Sequence, residues 1–211
     1  MTEQRLVPTP LGPARLLVDA AVRPRRTLVL GHGAGAGASA VDLMALAQVL
    51  PPRTGTTVVR VEQPWRVADR RLAPAPSVLD EAWRATLPQV DTEGLLVVGG
   101  RSAGARVACR TARDVGAAAV LALAFPLHPP GRPERSRLGE LERPRVPVLV
   151  VQGERDAFGR PHEFPPGPYQ VATVPAADHS FAVPRSAPLS RSEALEVLVD
   201  QVAAWMRDLR E

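Results

Sequence analysis

Between residues 95 and 113 the sequence changes character twice within a few positions. Leu95-Leu96-Val97-Val98 is wholly apolar, Gly99-Gly100-Arg101-Ser102-Ala103-Gly104 follows at once, and Ala103 to Arg113 has the composition of a helix. A short apolar run closed by glycine reads as a buried strand. A strand that turns directly into a helix, with glycine two positions either side of a serine, admits few geometries. The turn is too sharp for side chains at positions 100 and 104, and glycine fits there. The serine between them is held in a strained conformation with its hydroxyl clear of the sheet, and the first N–H groups of the helix aim at the same spot. The blander alternative makes Ser102 a simple cap on a glycine-rich helix start.

The rest of the chain repeats the alternation of short β-rich runs with amphipathic segments, which predicts an α/β protein. Leu6–Val7 and Ala14–Ala20, split by a Pro/Gly turn, form a candidate hairpin. Further strands are expected at Thr27–Leu30, Thr56–Val61, Ala118–Phe125, Val146–Val151 and Gln170–Val174. Helices are expected at Val41–Leu50, stopped by Pro51 and Pro52, from a Ser77 cap to Leu87 with Asp80 and Glu81 in its first turn, and at Glu193–Leu209. Continuously apolar strands belong to a sheet covered on both faces. The expected architecture is therefore a three-layer sandwich with a mostly parallel central sheet, one domain over residues 1–211. About twenty residues separate the strand ending near Phe125 from the one starting near Val146, too few for a lid domain. In such sheets ligands bind at the carboxyl ends of the strands.

Charge and cysteine content narrow the function classes. Lysine and arginine together number 26, all of them arginine, against 22 acidic residues, so the net charge is only +4. The densest basic stretch, Arg132 to Arg145, also carries Glu134, Glu140 and Glu142 and reads as a solvated loop rather than a polyanion patch. No nucleic-acid partner is expected. The longest apolar stretch, Val115 to Leu127, is too short to span a bilayer, and Met1 to Pro10 contains no secretory apolar region. A single cysteine, Cys109, allows no internal disulfide, which fits a reducing, cytoplasmic setting. It lies two helical turns beyond Ser102 and reads as a core residue.

A nucleophilic serine needs a base and an acid that orients the base. Of the four histidines, His179 follows the last predicted strand, where a base is expected. The acid should follow the strand before it. There Gln152-Gly153-Glu154-Arg155-Asp156 offers Asp156 a few residues past the strand end. Glu154 stands too early in that turn, and Asp178 adjoins His179 too closely to face its ring. An oxyanion would need preorganised N–H donors. The backbone of Ala103, after the serine, is one candidate. Ala34, in the small-residue loop His32-Gly33-Ala34-Gly35-Ala36-Gly37-Ala38, is the other. That loop lacks the spacing of a phosphate or dinucleotide cradle, so no cofactor is expected. No residue cluster has metal-ligand spacing. Gly33, Arg101 and His128 are candidates to line a substrate site, with a structural role equally open for Arg101; His32 is a candidate to brace its loop, and His162 has no evident role.

Together these residues resemble the α/β-hydrolase superfamily. Within it they are similar to the small lidless branch of dienelactone-hydrolase-like bacterial proteins and animal testis-expressed hydrolase-like proteins. The resemblance spans about Leu28 to Trp205. It rests on Gly31-His32-Gly33-Ala34-Gly35, Gly99-Gly100-Arg101-Ser102-Ala103-Gly104-Ala105-Arg106 and Phe125-Pro126-Leu127-His128. It rests also on Pro147-Val148-Leu149-Val150-Val151-Gln152-Gly153-Glu154-Arg155-Asp156 and Asp178-His179-Ser180. It implies a triad of Ser102, Asp156 and His179 and an oxyanion loop at Gly33–Ala34. Dienelactone hydrolases carry cysteine where this chain has Ser102, so dienelactone is not the expected substrate. The expected activity is cleavage of a small-molecule ester, thioester or related acyl substrate. The alternative is a catalytically silent binding or scaffold protein on the same fold, since fold alone does not dictate function.

Overall fold

The strand pairings determine where the carboxyl ends of the strands meet. The computed structural model describes residues 2–35 and 37–209, so Ala36 of the glycine–alanine loop lies outside the described residues. Eight strands form one sheet: β1 (Glu3–Val7), β2 (Ala14–Asp19), β3 (Arg26–Gly31), β4 (Thr56–Glu62), β5 (Leu95–Arg101), β6 (Ala119–Leu123), β7 (Val148–Gly153) and β8 (Gln170–Val174). They lie in the order β1-β2-β4-β3-β5-β6-β7-β8. The β1–β2 hairpin joins β4 antiparallel, and every pair from β4 to β8 is parallel. This is the three-layer α/β architecture expected from the alternating pattern.

Alternation along β3 shows why both faces are covered. Leu28 and Leu30 pack toward α1 (Val41–Thr54) and α6 (Arg191–Asp208), whereas Val29 faces the opposite side. The α1/α6 layer buries Leu43, Leu46, Leu50, Leu198, Trp205 and Met206. The other layer contains α2 (Pro64–Val67), α3 (Pro76–Thr86), α4 (Ala103–Thr111) and α5 (Leu138–Leu141), with Trp83, Phe125 and Leu141 wholly buried. Cys109 belongs to this second core, and burial pushes its thiol up to about 12. Among the described residues no helix is long and apolar enough to cross a membrane.

Several boundaries differ from the sequence expectation for local reasons. Pro51 and Pro52 do not stop α1. Their fixed φ suits a helix, and the chain leaves it only at Gly55, which is left-handed at φ 64°. Ser77 does not cap α3, because Pro76 already occupies the first turn and the cap lies two residues earlier, at Ala75. Consequently no acidic residue lies in that first turn. α6 starts before Glu193: Ser190 caps it, accepting from the Glu193 N–H while Glu193 Oε2 accepts from the Ser190 N–H. The stretch from Arg132 to Arg145 is not wholly a solvated loop. It contains α5, whose Glu140 bonds Arg106 at 2.6 and 2.8 Å and Arg110 at 2.9 Å.

Arg110 also grips Asp80 of α3 through paired contacts of 2.6 and 2.8 Å, so α4 is tied to α3 and α5 by one ionic network. Burial alone would push the Glu140 carboxyl up, but the hydrogen bonds and charges of Arg106 and Arg110 outweigh it and hold it below the usual range. A carboxyl with a lowered folded pKa contributes stability that is present above its unfolded value, about 4.3 for glutamate. That contribution is lost as pH falls through the lowered folded value. Urea titrations of wild type and Glu140→Gln should therefore differ at pH 7, with the variant weaker, and converge as the pH is taken below the carboxylate range.

α4 meets the sheet at bare backbone. A Cβ on Gly104 would stand 2.3 Å from the Gly31 carbonyl oxygen, and one on Gly100 would stand 2.5 Å from the same atom. No side chain fits between the helix start and β3. Gly104→Ala is expected to destabilise the fold by about 1–3 kcal/mol, the usual cost of forcing atoms into a packed interior. The readout is a lower urea midpoint at unchanged slope.

Candidate active site

Ser102 sits between β5 and α4 with φ 51° and ψ −111°. A positive φ is costly for a residue with a Cβ, and such strain persists only where the surroundings enforce it. Here the enforcing contacts are the Ser102 N–H bonded to the Leu123 carbonyl at 2.9 Å and the glycine-only crossing beneath. The turn lifts the Ser102 hydroxyl above the carboxyl edge of the sheet. It also leaves the first N–H groups of α4, beginning at Ala103, without intrahelical acceptors.

His179 follows β8 and Asp156 follows β7, and the parallel sheet brings both to this edge. His179 Nε2 lies 3.0 Å from Ser102 Oγ, and His179 Nδ1 lies 2.8 Å from Asp156 Oδ2. Asp156 accepts the Nδ1–H proton, which leaves Nε2 free to accept from the serine hydroxyl. Asp156 has no solvent exposure. It also receives the Gln152 side-chain amide at 2.8 Å and the Phe158 N–H at 2.8 Å. Phe158 packs on the imidazole with ring centroids 4.2 Å apart. Gly153 has a tighter duty than a turn. A Cβ there would stand 2.6 Å from the carbonyl oxygens of Ala177 and Asp178, so its bareness lets the histidine loop press against β7.

The competing acids have other tasks. Glu154 accepts the Ala176 N–H at 2.6 Å, and Asp178 accepts the N–H groups of Ser180 and Ala182 at 2.7 and 3.0 Å. Both shape the loop that carries His179. Gln152 and Phe158 have no motif that marks them. Gln152 precedes Asp156 by four positions in a block already singled out, and that proximity was the only available signal.

His32 braces the glycine–alanine loop. The Gln63 N–H donates to His32 Nε2 at 3.2 Å, so the ring proton is on Nδ1, which donates to the Gly33 carbonyl at 2.8 Å. Across a trans peptide the next N–H points opposite to that carbonyl. Anchoring Gly33 O therefore turns the Ala34 N–H the other way. Ala34 lines both cavities that adjoin the elbow, and Ala103 lines the smaller. The two candidate oxyanion donors thus border one hollow beside the elbow.

For Arg101, where the sequence leaves a substrate contact and a structural role equally open, the contacts favour the structural one. Arg101 lines the cleft, but its guanidinium is engaged: Nη2 donates to the His179 carbonyl at 2.7 Å, and Nε lies 3.2 Å from Asp42 Oδ2. Asp42, in the first turn of α1, is 1% exposed. Burial pushes its carboxyl up, with Arg101 pulling the other way. Gly33 lies over the same guanidinium, since a Cβ there would be 3.1 Å from Arg101 Nη1. One side chain thus ties the elbow, α1 and the histidine loop together under the glycine–alanine loop.

His128 is not brought to this cleft. A turn at Ala124, with φ 45°, redirects the chain, and the His128 N–H bonds the Phe158 carbonyl at 3.0 Å. Its ring contacts the Pro129 carbonyl and Glu163, at 2.9 and 3.3 Å, and lines neither cavity at Ser102. His162 lies on a short 3-10 turn, Pro161–Glu163, away from the site.

A sequence profile for the alpha/beta hydrolase domain matches residues 24–207, and the chain belongs to that family. Solved structures of similar fold include an alpha-beta serine hydrolase homologue from Coxiella burnetii. It superposes with a TM-score of 0.75 at 20% identity, over 96% of this chain and 98% of that one. A serine hydrolase without a lid from Xanthomonas campestris gives 0.70 at 18% identity, over 99% and 97%. A dienelactone hydrolase from Anabaena variabilis gives 0.69 at 18% identity, over 99% of each chain. At these identities the likeness is one of fold.

Arg101→Met would take from the buried Asp42 the one cation in contact with it and leave only the weaker pull of Arg191; breaking a buried pair typically costs about 3–5 kcal/mol. Adding Asp42→Leu should recover most of that stability. The rate at which a fluorophosphonate modifies Ser102 should stay depressed in the double variant, because nothing then holds the His179 carbonyl. Arg101→Lys should rescue poorly, since an ammonium cannot span both contacts as a planar fork does. Full recovery of the modification rate in the double variant would contradict the positioning role.

Proposed function

We propose that the protein is a serine hydrolase that cleaves a small ester, thioester or related acyl substrate through Ser102, His179 and Asp156. The observation that carries this reading is the unbroken hydrogen-bond chain from Ser102 Oγ through the His179 ring to a wholly buried Asp156, mounted on a strained strand-to-helix turn.

In this mechanism Ser102 Oγ attacks the acyl carbon while His179 Nε2 takes its proton. Asp156 holds the ring so that Nε2 faces the serine, and it stabilises the imidazolium that forms. Negative charge developing on the acyl oxygen is met by the N–H groups of Ala103 and Ala34. His179 then returns the proton to the leaving oxygen or sulfur. Water, deprotonated by the same nitrogen, releases the acyl group and restores the serine. Each step uses a group already oriented in the free protein, so little reorganisation accompanies charge development.

A fluorophosphonate probe should label the wild-type protein and fail to label Ser102→Ala. Asp156→Asn should keep the fold yet reduce turnover of an activated ester by about 10⁴-fold, the scale seen when the orienting acid of such a triad is neutralised. A folded wild-type chain that neither labels nor cleaves esters would identify the fold as a binding module instead.

A further inference from the structure

The cleft that Ser102 and His179 border has a volume of about 660 Å³, within the range of small-molecule sites. Among the described residues around it, the carboxylate is Asp42 and the guanidinium groups are those of Arg101 and Arg191. Their charges do not cancel. Asp42 is 1% exposed and lies 3.2 Å from Arg101 Nε, and the same guanidinium donates to the His179 carbonyl at 2.7 Å. Arg101 and Asp42 are therefore neutral as a unit and already engaged.

Arg191 is the remaining charge. It is exposed, at the first position of α6, and among the described residues its guanidinium makes no hydrogen bond or ion-pair contact. The nearest acid along the chain, Glu193, is turned back to accept the Ser190 N–H at 2.6 Å within the helix cap. The field of Arg191 nevertheless reaches Asp42: burial pushes that carboxyl up, and Arg101 first, then Arg191, pulls it down. A cleft lined by one uncompensated sign of charge attracts substrates of the other sign. The planar fork of a guanidinium matches the two oxygens of a carboxylate.

We propose that Arg191 selects acidic substrates, esters or thioesters that carry a carboxylate, and that this carboxylate pairs with the Arg191 guanidinium while Ser102 attacks the acyl carbon. The inference rests on the serine-hydrolase reading and specifies its substrate class. Arg191 acts on binding and takes no part in the proton transfers between Ser102 and His179.

The test uses two pairs of esters, each pair a free carboxylate and its methyl ester. In 4-carboxyphenyl acetate the acid is on the leaving group, and in monophenyl adipate it is on the acyl arm. Each kcat/KM is divided by the rate of the same ester with hydroxide. Wild type at low salt should favour the acid in one pair by about tenfold, the scale of a hydrogen-bonded contact to a charged group, and that pair identifies the arm that Arg191 holds. Added salt should shrink the preference. Arg191→Gln should bring it toward unity and Arg191→Glu should reverse it. An acid at the first position of α6 suits the helix dipole, so the Glu variant keeps the fold. Arg185→Glu makes the same charge change on the preceding loop, outside the cleft, and should retain the preference. Equal normalised rates within both pairs, a preference that survives Arg191→Glu, or one that Arg185→Glu removes as fully, would overturn the proposal while leaving the hydrolase reading intact. Absence of both ester cleavage and Ser102 labelling in folded wild type would overturn the two together.

Discussion

Everything at the carboxyl edge of this sheet depends on a contact between bare backbones. The start of α4 lies directly on the end of β3, with Gly31 opposite Gly100 and Gly104 and no space for a single added carbon. Because the helix begins so close to the sheet, the residue before it has to adopt a positive φ, and that residue is Ser102. The strain is local, while the packing that maintains it is spread over a β5–β6 pairing that is apolar up to Arg101 and the ionic ties of α4 to α3 and α5. Strain of this kind persists only inside a structure that over-determines it.

Much of this edge was legible from residue order. An apolar run, a glycine-flanked serine and a helix specify a turn by local sterics alone, and strands followed by Asp156 and His179 specify where a parallel sheet must deliver them. What escaped the sequence depends on partners remote along the chain. Arg101 reads equally as a substrate contact or a structural residue until its partners on α1 and the histidine loop are seen. His128 reads as a pocket residue until the turn at Ala124 carries it toward Glu163. Gln152 and Phe158 support Asp156 and His179 through contacts with no characteristic spacing. Helix boundaries failed for a different reason. Pro51, Pro52 and Pro76 are breakers or starters depending on whether the neighbouring turn tolerates a missing N–H, and this is decided by tertiary position.

Two side chains join segments that the sheet by itself would leave independent. His32 links the glycine–alanine loop to the end of β4, through Gly33 on one side and Gln63 on the other. Arg101 joins the elbow to α1 and to the loop after β8. A buried ion pair such as Arg101–Asp42 contributes little net stability, since desolvation offsets most of the attraction. Its effect is geometric: it restricts how the histidine loop can sit relative to the serine.

The openness of the cleft on the His179 side has a consequence for the fate of any covalent intermediate. An acyl group carried on Ser102 would face a broad solvent-filled hollow, with the imidazole beside it 19% exposed. Alcohols, amines and thiols competing for that acyl group would have to outpace water at bulk concentration. Among the described residues that side is an open hollow that gives a second organic acceptor little to bind against, so partition would be weighted toward release of the free acid rather than exchange onto another molecule.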